Sequence, residues 1–169
     1  MLVVVMNETD RLFACLKMVG INPKMETFSE RKRVQKMVYL LDKVFHLNFG
    51  FSYNWYLHGP YSPELTRIIF DVIEKEREDI AKPAPLSTAD KAKIARLKLF
   101  LNDDIESTDT LELLVSLHYL LNCWPESDSR VENAVNFLKS KKPYFSNEEI
   151  SNALKRLQDL EHQLYSFLF

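Results

Sequence analysis

The chain has 169 residues, of which 46% are apolar and 27% are charged, and its formal net charge is −2. These values are ordinary for a globular protein and exclude the low hydrophobicity and high net charge of disordered chains. Because 22 basic residues are nearly balanced by 24 acidic ones, only a local basic patch would indicate nucleic-acid binding. The length predicts a single domain over residues 1–169.

Cysteine usage and the apolar segments predict a cytoplasmic protein that does not enter a membrane. Cys15 and Cys123 lie far apart in apolar contexts, without a CxxC pair or a zinc spacing, so both are expected to be buried and reduced. The opening MLVVVM lacks a basic start and is too short for a signal peptide. No apolar run approaches the ~18 residues of a membrane span.

Apolar residues at helical spacing, together with local cap signals, predict seven helices. The fifth, over residues 108–123, is apolar nearly all round, which is typical of a helix at the middle of a bundle. Residues 2–6 fit either an extension of the first helix or a short strand. The first helix is expected to end at Gly20. Three capping boxes are predicted, Ser87 with Asp90, Ser129 with Glu132 and Ser146 with Glu149. The seven helices are expected to begin near these residues: Asn7, Ser29, Ser62, Ser87, Thr108, Ser129 and Ser146.

A strand is predicted in the segment FSYNWYL, residues 51–57, because large apolar or aromatic side chains alternate there with Ser52, Asn54 and Tyr56. A short strand near Ile80 is a candidate pairing partner. The expected fold is therefore mainly α, a single-domain bundle of about seven helices with a short strand or β-hairpin near residues 51–57. The alternation places these side chains on one face of the strand: Phe51, Tyr53, Trp55 and Leu57.

The segment YLHGPYSPEL, residues 56–65, is predicted to form a rigid corner between the strand and the third helix. Pro60 and Pro63 hold the residues before them in extended or turn conformations. Ser62 is suited to cap the helix, and Pro63 occupies its first position, where a missing N–H costs nothing. The corner is explained as architecture, and it also exposes three side chains on a rigid support: Tyr56, His58 and Tyr61.

Two motifs resemble the YwgA-like and Panacea-domain family, which includes SocA-like antitoxins. The first is RVQKMVY, residues 33–39, and the second is the GPYS corner, residues 59–62, followed by Leu65. The match spans residues 12–72, whereas residues 87–169 share only helical character, and the GPYS form is closer to the YwgA-like branch. Panacea relatives neutralise toxins by direct binding or act as adaptors, so the resemblance implies an antitoxin or adaptor role in a toxin–antitoxin or defence locus.

The corner, the basic start of the second helix and the resemblance together predict a non-catalytic protein-binding module with a cognate protein partner, such as a toxin. Tyrosine often anchors protein interfaces, and the edge of the strand is a place where a partner strand could pair. The candidate partner-binding residues all belong to the corner: Tyr56, His58, Tyr61 and Ser62.

A candidate basic patch lies in the first two turns of the second helix and consists of Arg31, Lys32, Arg33 and Lys36. Cations there oppose the helix dipole at ~0.3–1 kcal/mol each, which indicates an internal partner or an external anion. The acidic segments 74–79 and 103–109 offer internal partners, and this interpretation is favoured. A second basic cluster, residues 91–98, and the helix–strand–helix order also fit a winged-helix-like nucleic-acid-binding protein, which is the alternative function.

Neither catalysis nor a bound metal or organic cofactor is predicted. The four histidines show no metal-ligand spacing, and three glycines leave no phosphate-binding loop. His58 lies near Ser62 as a base lies near a nucleophile, but Ser62 is better explained as a cap. Arg156 and His162 suggest a HEPN-like ribonuclease, a second alternative. On a continuous helix, however, residues six apart are ~120° apart in direction and ~9 Å apart along the axis.

The last helix carries apolar residues alternately three and four positions apart. Such a seam is typical of packing within the bundle, which is favoured here, or of a homodimer through the C-terminal helix. It is shorter than the ~3–4 heptads that identify a coiled coil. The seam residues are Ile150, Ala153, Leu157, Leu160, Leu164 and Phe167.

Overall fold

The computed structural model describes residues 7–21, 25–74 and 85–166, so the expectations for residues 2–6, Ile80 and Phe167 fall outside it. Within the described residues the chain is mainly helical, with 7 α-helices and one two-stranded antiparallel sheet, which confirms the expected fold class. The chain divides into two compact units, residues 1–108 and 109–169. The single domain stays a prediction. No helix among the described residues has the length and apolar character needed to cross a bilayer.

The first helix of the first unit, α1 (Glu8–Val19), has both ends where the sequence predicts them. The side chain of Asn7 accepts a hydrogen bond from the Thr9 amide at 3.1 Å. The helix ends at Gly20, whose φ of 103° lies in the left-handed region that glycine adopts without a Cβ penalty. Both signals are local, which is why the sequence alone locates them.

The second helix, α2 (Phe28–Tyr39), begins earlier than predicted. Its cap is Thr27 and not Ser29, so the prediction was wrong by two residues. The Thr27 hydroxyl accepts from the Glu30 amide at 3.2 Å, and the Glu30 carboxylate accepts from the Thr27 amide at 2.8 Å, which completes a capping box. The helix continues into a π-helical turn, Leu40–Val44.

A β-hairpin follows, in which β1 (Asn54–Tyr56) pairs antiparallel with β2 (Gly59–Tyr61). The predicted hairpin near residues 51–57 is confirmed, but its second strand is the corner itself. The chain reverses across Leu57 and His58, and Gly59 takes a φ of 81°, a backbone region open to glycine. The sequence places Leu57 on the same face as Phe51. The structure contradicts this, because Leu57 lies in the turn and is exposed.

Two further helices complete the first unit, α3 (Pro63–Glu74) and α4 (Thr88–Leu101), and a 3-10 turn follows over Asn102–Glu106. The Ser87 hydroxyl caps α4 by accepting from the Asp90 amide at 3.0 Å, which is one half of the predicted capping box. The Asp90 carboxylate itself is bound by Arg11 of α1 through Nε at 3.0 Å and Nη2 at 2.8 Å. This paired contact with a guanidinium ties α1 to α4.

The hydrogen bonds from Arg11 lower the pKa of the Asp90 carboxyl. A carboxyl whose pKa is lower in the folded chain than in the unfolded chain stabilises the fold above the unfolded pKa. Its contribution is therefore present at neutral pH and disappears as the pH falls through the folded pKa of Asp90.

The second unit contains α5 (Thr108–Cys123), α6 (Arg130–Lys141) and α7 (Asn147–Ser166). The expected bounds of α5 are confirmed, and its buried residues include a charged one, Glu112. The capping box at Ser146 forms with Glu149, whereas Ser129 makes no side-chain cap hydrogen bond, so the box predicted there is wrong.

The seam of α7 is buried within a single chain at Ile150, Ala153, Leu157 and Leu160. This agrees with the favoured interpretation of the seam, and the homodimer stays a prediction. The helix runs without interruption past Arg156 and His162. The two residues of the ribonuclease-like pair therefore point in directions ~120° apart on one continuous helix.

An ion pair lies in the interior of the second unit. Lys142, the C-cap residue of α6, donates from Nζ to Glu112 Oε1 of α5 at 2.5 Å, and their side chains are 1% and 2% exposed. The Tyr144 hydroxyl donates to the same oxygen at 2.6 Å. Burial and this hydrogen bond raise the pKa of Tyr144. The three side chains fix the end of α6 to α5.

The two cysteines differ, contrary to the sequence-based expectation. Cys15 is buried, and its burial raises the pKa of the thiol to about 12, whereas Cys123 is exposed at the end of α5. The thiolate is the reactive form of cysteine. A disulfide reagent that labels thiols is therefore expected to modify Cys123 in the native protein and Cys15 only after unfolding. Absorbance of the released thiolate measures this, and the Cys123→Ser variant should lose the fast phase. A fast phase that survives Cys123→Ser would contradict the assignment.

Candidate functional site

The two motifs that carry the family resemblance lie against each other. Gln35 of α2 accepts from the Ser62 amide at 3.1 Å through Oε1 and donates from Nε2 to the Ser62 carbonyl at 3.0 Å. Nε2 also donates to Thr66 Oγ1 at 2.8 Å. Ser62 in turn caps α3, since its hydroxyl accepts from the Leu65 amide at 3.3 Å. One glutamine side chain therefore joins α2 to the start of α3.

Lys36 makes the second connection between the motifs. Its side chain is buried, and Nζ donates to the Pro60 carbonyl at 2.7 Å. Proline fits a strand only where an N–H would point away from the partner strand. The Pro60 carbonyl also points away from β1, so it has no partner within the hairpin sheet. Lys36 supplies the hydrogen bond that this carbonyl needs. The hairpin is thus docked on α2 through hydrogen bonds to its backbone.

These connections position one wall of a groove of about 340 Å³ between α2, the hairpin and α3. Such a volume is at the small end of the ~300–1,000 Å³ typical of ligand pockets, which suits an anchoring side chain or a small group. Most of its lining is apolar or aromatic, with a cationic side contributed by α2. We call it the α2–hairpin groove, and its lining residues are Phe28, Arg31, Lys32, Gln35, Lys36, Tyr56, Leu57, His58, Gly59, Tyr61, Thr66, Ile69 and Phe70.

Four large apolar side chains of this groove are exposed. Phe28 is 64% exposed, Tyr56 54%, Leu57 83% and Phe70 44%. They come from three different elements, and all four line the same groove. Clusters of exposed apolar side chains with polar rims mark interaction sites on soluble proteins.

Ring contacts hold the aromatic side chains of the groove in place. The Tyr56 and Tyr61 rings lie 5.0 Å apart, and the Phe28 ring meets the His58 ring edge-on at 5.8 Å. The Arg31 guanidinium lies over the Phe70 ring at 5.4 Å. These contacts order side chains that would otherwise lose rotamer entropy when a ligand binds.

Three of the four predicted partner-binding residues, Tyr56, His58 and Tyr61, line the α2–hairpin groove. Ser62 does not belong to this surface, because it is fully buried and its hydroxyl, amide and carbonyl all take part in hydrogen bonds within the chain. The same burial leaves no role for Ser62 as a nucleophile beside His58 in the described conformation.

The four residues of the predicted basic patch are divided between different environments. Arg33 forms an ion pair with Glu106, as the favoured interpretation of an acidic partner in residues 103–109 predicts. Lys36 is buried against Pro60. Arg31 and Lys32 are half-buried and line the groove. The four cations therefore do not form one exposed surface of the kind that tracks a nucleic-acid backbone.

The second basic cluster is also engaged in part with the chain itself. Lys93 donates to the His46 carbonyl at 2.5 Å, and Lys98 donates to the Met18 carbonyl at 3.4 Å. Lys91 and Arg96 are exposed on α4. This arrangement gives a winged-helix-like contact with nucleic acid no support beyond the sequence pattern.

Sequence reasoning missed Phe28 and Phe70 as members of the interaction surface. Phe28 follows Thr27, and the spacing of Thr27 and Glu30 was a readable sign that Phe28 starts the helix. Phe70 lies next to the buried Ile69 in α3, and an apolar residue flanking the buried stripe of a helix was the available signal. Among the described residues no group of His, Cys, Asp or Glu side chains could hold a metal ion.

Comparisons with family models, curated proteins and solved structures found no match to this chain. The resemblance to YwgA-like and Panacea-domain proteins stays a prediction carried by residues 33–39 and 59–62.

Proposed function

We propose that this protein is a non-catalytic protein-binding module that holds its partner in the α2–hairpin groove, and that it acts as an antitoxin or adaptor in a toxin–antitoxin or defence locus. The observation that carries the proposal is the exposure of Phe28, Tyr56, Leu57 and Phe70 around one groove. Burying such side chains at an interface contributes about 1.5–3 kcal/mol each when burial is complete.

The rigidity of the groove supports a binding role. Gln35 and Lys36 fix the hairpin and the start of α3 with four hydrogen bonds between 2.7 and 3.1 Å. A surface that is already ordered loses little conformational entropy when a partner binds, so more of the contact energy appears as affinity.

The antitoxin or adaptor role comes from the resemblance. Its two motifs supply residues that line the groove, Gln35 and Lys36 from one and Gly59 and Tyr61 from the other. The motif residues thus have a physical reason to occur together, since each motif satisfies polar groups of the other. This supports treating the groove as the place where a toxin or another cognate protein is held.

The Leu57→Asp substitution tests the proposal. Leu57 lies in the hairpin turn and is largely exposed, so its replacement should leave the melting temperature nearly unchanged. A carboxylate at the groove should reduce partner affinity at least tenfold, which corresponds to about 1.4 kcal/mol. The measurement is co-purification of the cognate partner from the source organism, followed by titration of the purified pair.

Leu99→Asp is the matched control. Leu99 is 82% exposed on α4 and does not line the groove, so the same chemical change there should leave partner binding intact. Equal retention of the partner by both variants, or equal loss, would contradict the proposal, because it would show that the groove has no special role. A genomic neighbour that encodes a small toxin would supply the partner for this titration.

A further inference from the structure

We infer that the partner of the α2–hairpin groove is an acidic peptide segment, one that inserts a bulky apolar side chain into the groove and sets carboxylates against its cationic side. This inference rests on the proposed protein-binding function. It adds the chemistry of the segment that is recognised.

The ionised side chains that line the groove, among the described residues, are cationic. Arg31, Lys32 and Lys36 line it from α2. Among the described residues that line the groove, none is acidic. Opposite charge at an interface speeds association and excludes wrong partners, so a lining with cations alone selects a partner segment that carries carboxylates.

Arg31 is positioned to receive such a carboxylate. Its Nη1 donates to the carbonyl oxygens of Met25 at 3.2 Å and Glu26 at 2.7 Å, and its guanidinium lies over the Phe70 ring. These partners are neutral, so the contacts orient the guanidinium without compensating its charge. A guanidinium has five donors and binds carboxylates with two of them at once.

The apolar side of the groove defines the rest of the ligand. Ile69 forms part of the buried wall, while Leu57 and Phe70 stand exposed at its opening. A volume of about 340 Å³ accommodates an anchoring side chain, and the exposed rim offers contact to the residues on either side of it. Linear segments bind such grooves through apolar anchors and gain specificity from the flanking charges.

A nucleic acid fits the groove less well than an acidic peptide does. Single strands bind through aromatic faces open to bases and through a basic track along the backbone. Here Arg31 covers one face of Phe70, Tyr56 packs on Tyr61, and Lys36 is buried. Leu57 and Ile69 add aliphatic surface, which favours an apolar amino-acid side chain.

Selection from a random peptide library displayed on phage, with the full chain as target, tests the inference. Wild-type protein should enrich peptides that combine aromatic or large aliphatic residues with Asp or Glu. Synthetic peptides from this pool should bind the Leu57→Asp variant at least about tenfold more weakly than wild type. Leu99→Asp, the control outside the groove, should bind them as wild type does.

The charge of the recognised segment is tested on the same peptides. Replacing their Asp and Glu by Asn and Gln should weaken binding about tenfold, and raising the salt concentration should remove most of that difference. Lys32→Gln should weaken the acidic peptides and leave their amide versions unchanged. Lys91→Gln, which alters an exposed cation outside the groove, should change neither.

The outcomes separate this inference from the proposed function. Enriched peptides that depend on the groove but are neutral or basic would overturn the acidic chemistry and leave the protein-binding function standing. Absence of any enriched peptide that depends on Leu57 would overturn both. Binding of fluorescein-labelled oligothymidylate that is stronger than binding of the peptides, and that is lost in Leu57→Asp, would assign the groove to nucleic acid and also overturn both.

Discussion

Replacing Glu112 with alanine is expected to lower the free energy of unfolding by about 3–5 kcal/mol, the usual cost of removing one partner of a buried ion pair. The Lys142 ammonium, 1% exposed, would be left in the interior without the carboxylate 2.5 Å away. The Tyr144 hydroxyl would lose the oxygen to which it donates at 2.6 Å. The penalty arises from the uncompensated charge more than from the lost attraction.

Trp124 makes this prediction measurable in the second unit, residues 109–169. The chain has two tryptophans, Trp55 in the first unit and Trp124 in the second. In a Trp55→Phe background the fluorescence therefore reports on Trp124, whose ring lies 5.9 Å from that of Phe137. Urea unfolding of this background with and without Glu112→Ala gives the difference in stability.

Two further variants identify the cause. Lys155→Ala breaks an exposed ion pair with Asp159 in the same unit and should cost only about 0–1 kcal/mol. The double variant Glu112→Leu with Lys142→Met removes both buried charges and should recover most of the stability lost in Glu112→Ala. A loss in Glu112→Ala no larger than that in Lys155→Ala would contradict the account.

Helix ends were predicted where the stabilising contact is local. Asn7 and Gly20 bound α1, and Ser87 caps α4, because a cap depends on side chains and amides within a few residues. The errors at Ser29 and Ser129 are instructive. At α2 a local signal was overlooked, because the capping box of Thr27 and Glu30 begins the helix two residues before Ser29. Ser129 does occupy the N-cap position of α6, but its side chain makes no cap hydrogen bond there.

The second strand of the hairpin was not predicted, although the hairpin itself was allowed for. Gly59 and Pro60 are typical of turns, and the sequence gives no sign that the Pro60 carbonyl will meet Lys36, 24 residues earlier. That hydrogen bond is a tertiary contact, and it makes a proline acceptable in β2. Patterns read along the chain cannot reveal a partner supplied by another element.

The candidate site was predicted in part for the same reason. Presentation of Tyr56, His58 and Tyr61 on a rigid support follows from the local chemistry of the corner, and all three line the groove. The predicted exposure is correct for Tyr56 alone, because His58 and Tyr61 are half-buried. The place of Phe28 and Phe70 beside these residues does not follow from local patterns, since α2 and α3 meet the hairpin only through tertiary contacts. The burial of Lys36 and Glu112 could not be predicted from the sequence either. Charged residues are buried only where a partner from elsewhere in the fold satisfies them.

Gln35→Ala is expected to lower the free energy of unfolding by about 1–3 kcal/mol, the penalty for leaving a buried donor without a partner. The Ser62 amide would lose the Gln35 oxygen at 3.1 Å, in a residue that is fully buried. The Ser62 carbonyl would keep its helical hydrogen bond from the Thr66 amide at 3.1 Å. The expected loss of stability therefore comes mainly from one unpaired group, the Ser62 N–H.

Thr66→Val is the matched control, because it removes only the third partner of Gln35, the hydroxyl at 2.8 Å, and should cost no more than the ~0.5–1.5 kcal/mol of an ordinary hydrogen bond. Urea unfolding in a Trp124→Phe background follows Trp55 in β1. Because Gln35 also positions the groove wall, Gln35→Ala should weaken the selected peptides even at temperatures where the variant is fully folded. Unchanged peptide affinity in a folded but destabilised Gln35→Ala would contradict the role of Gln35 in ordering the groove, and equal stability of the two variants would contradict the unpaired amide as the cause.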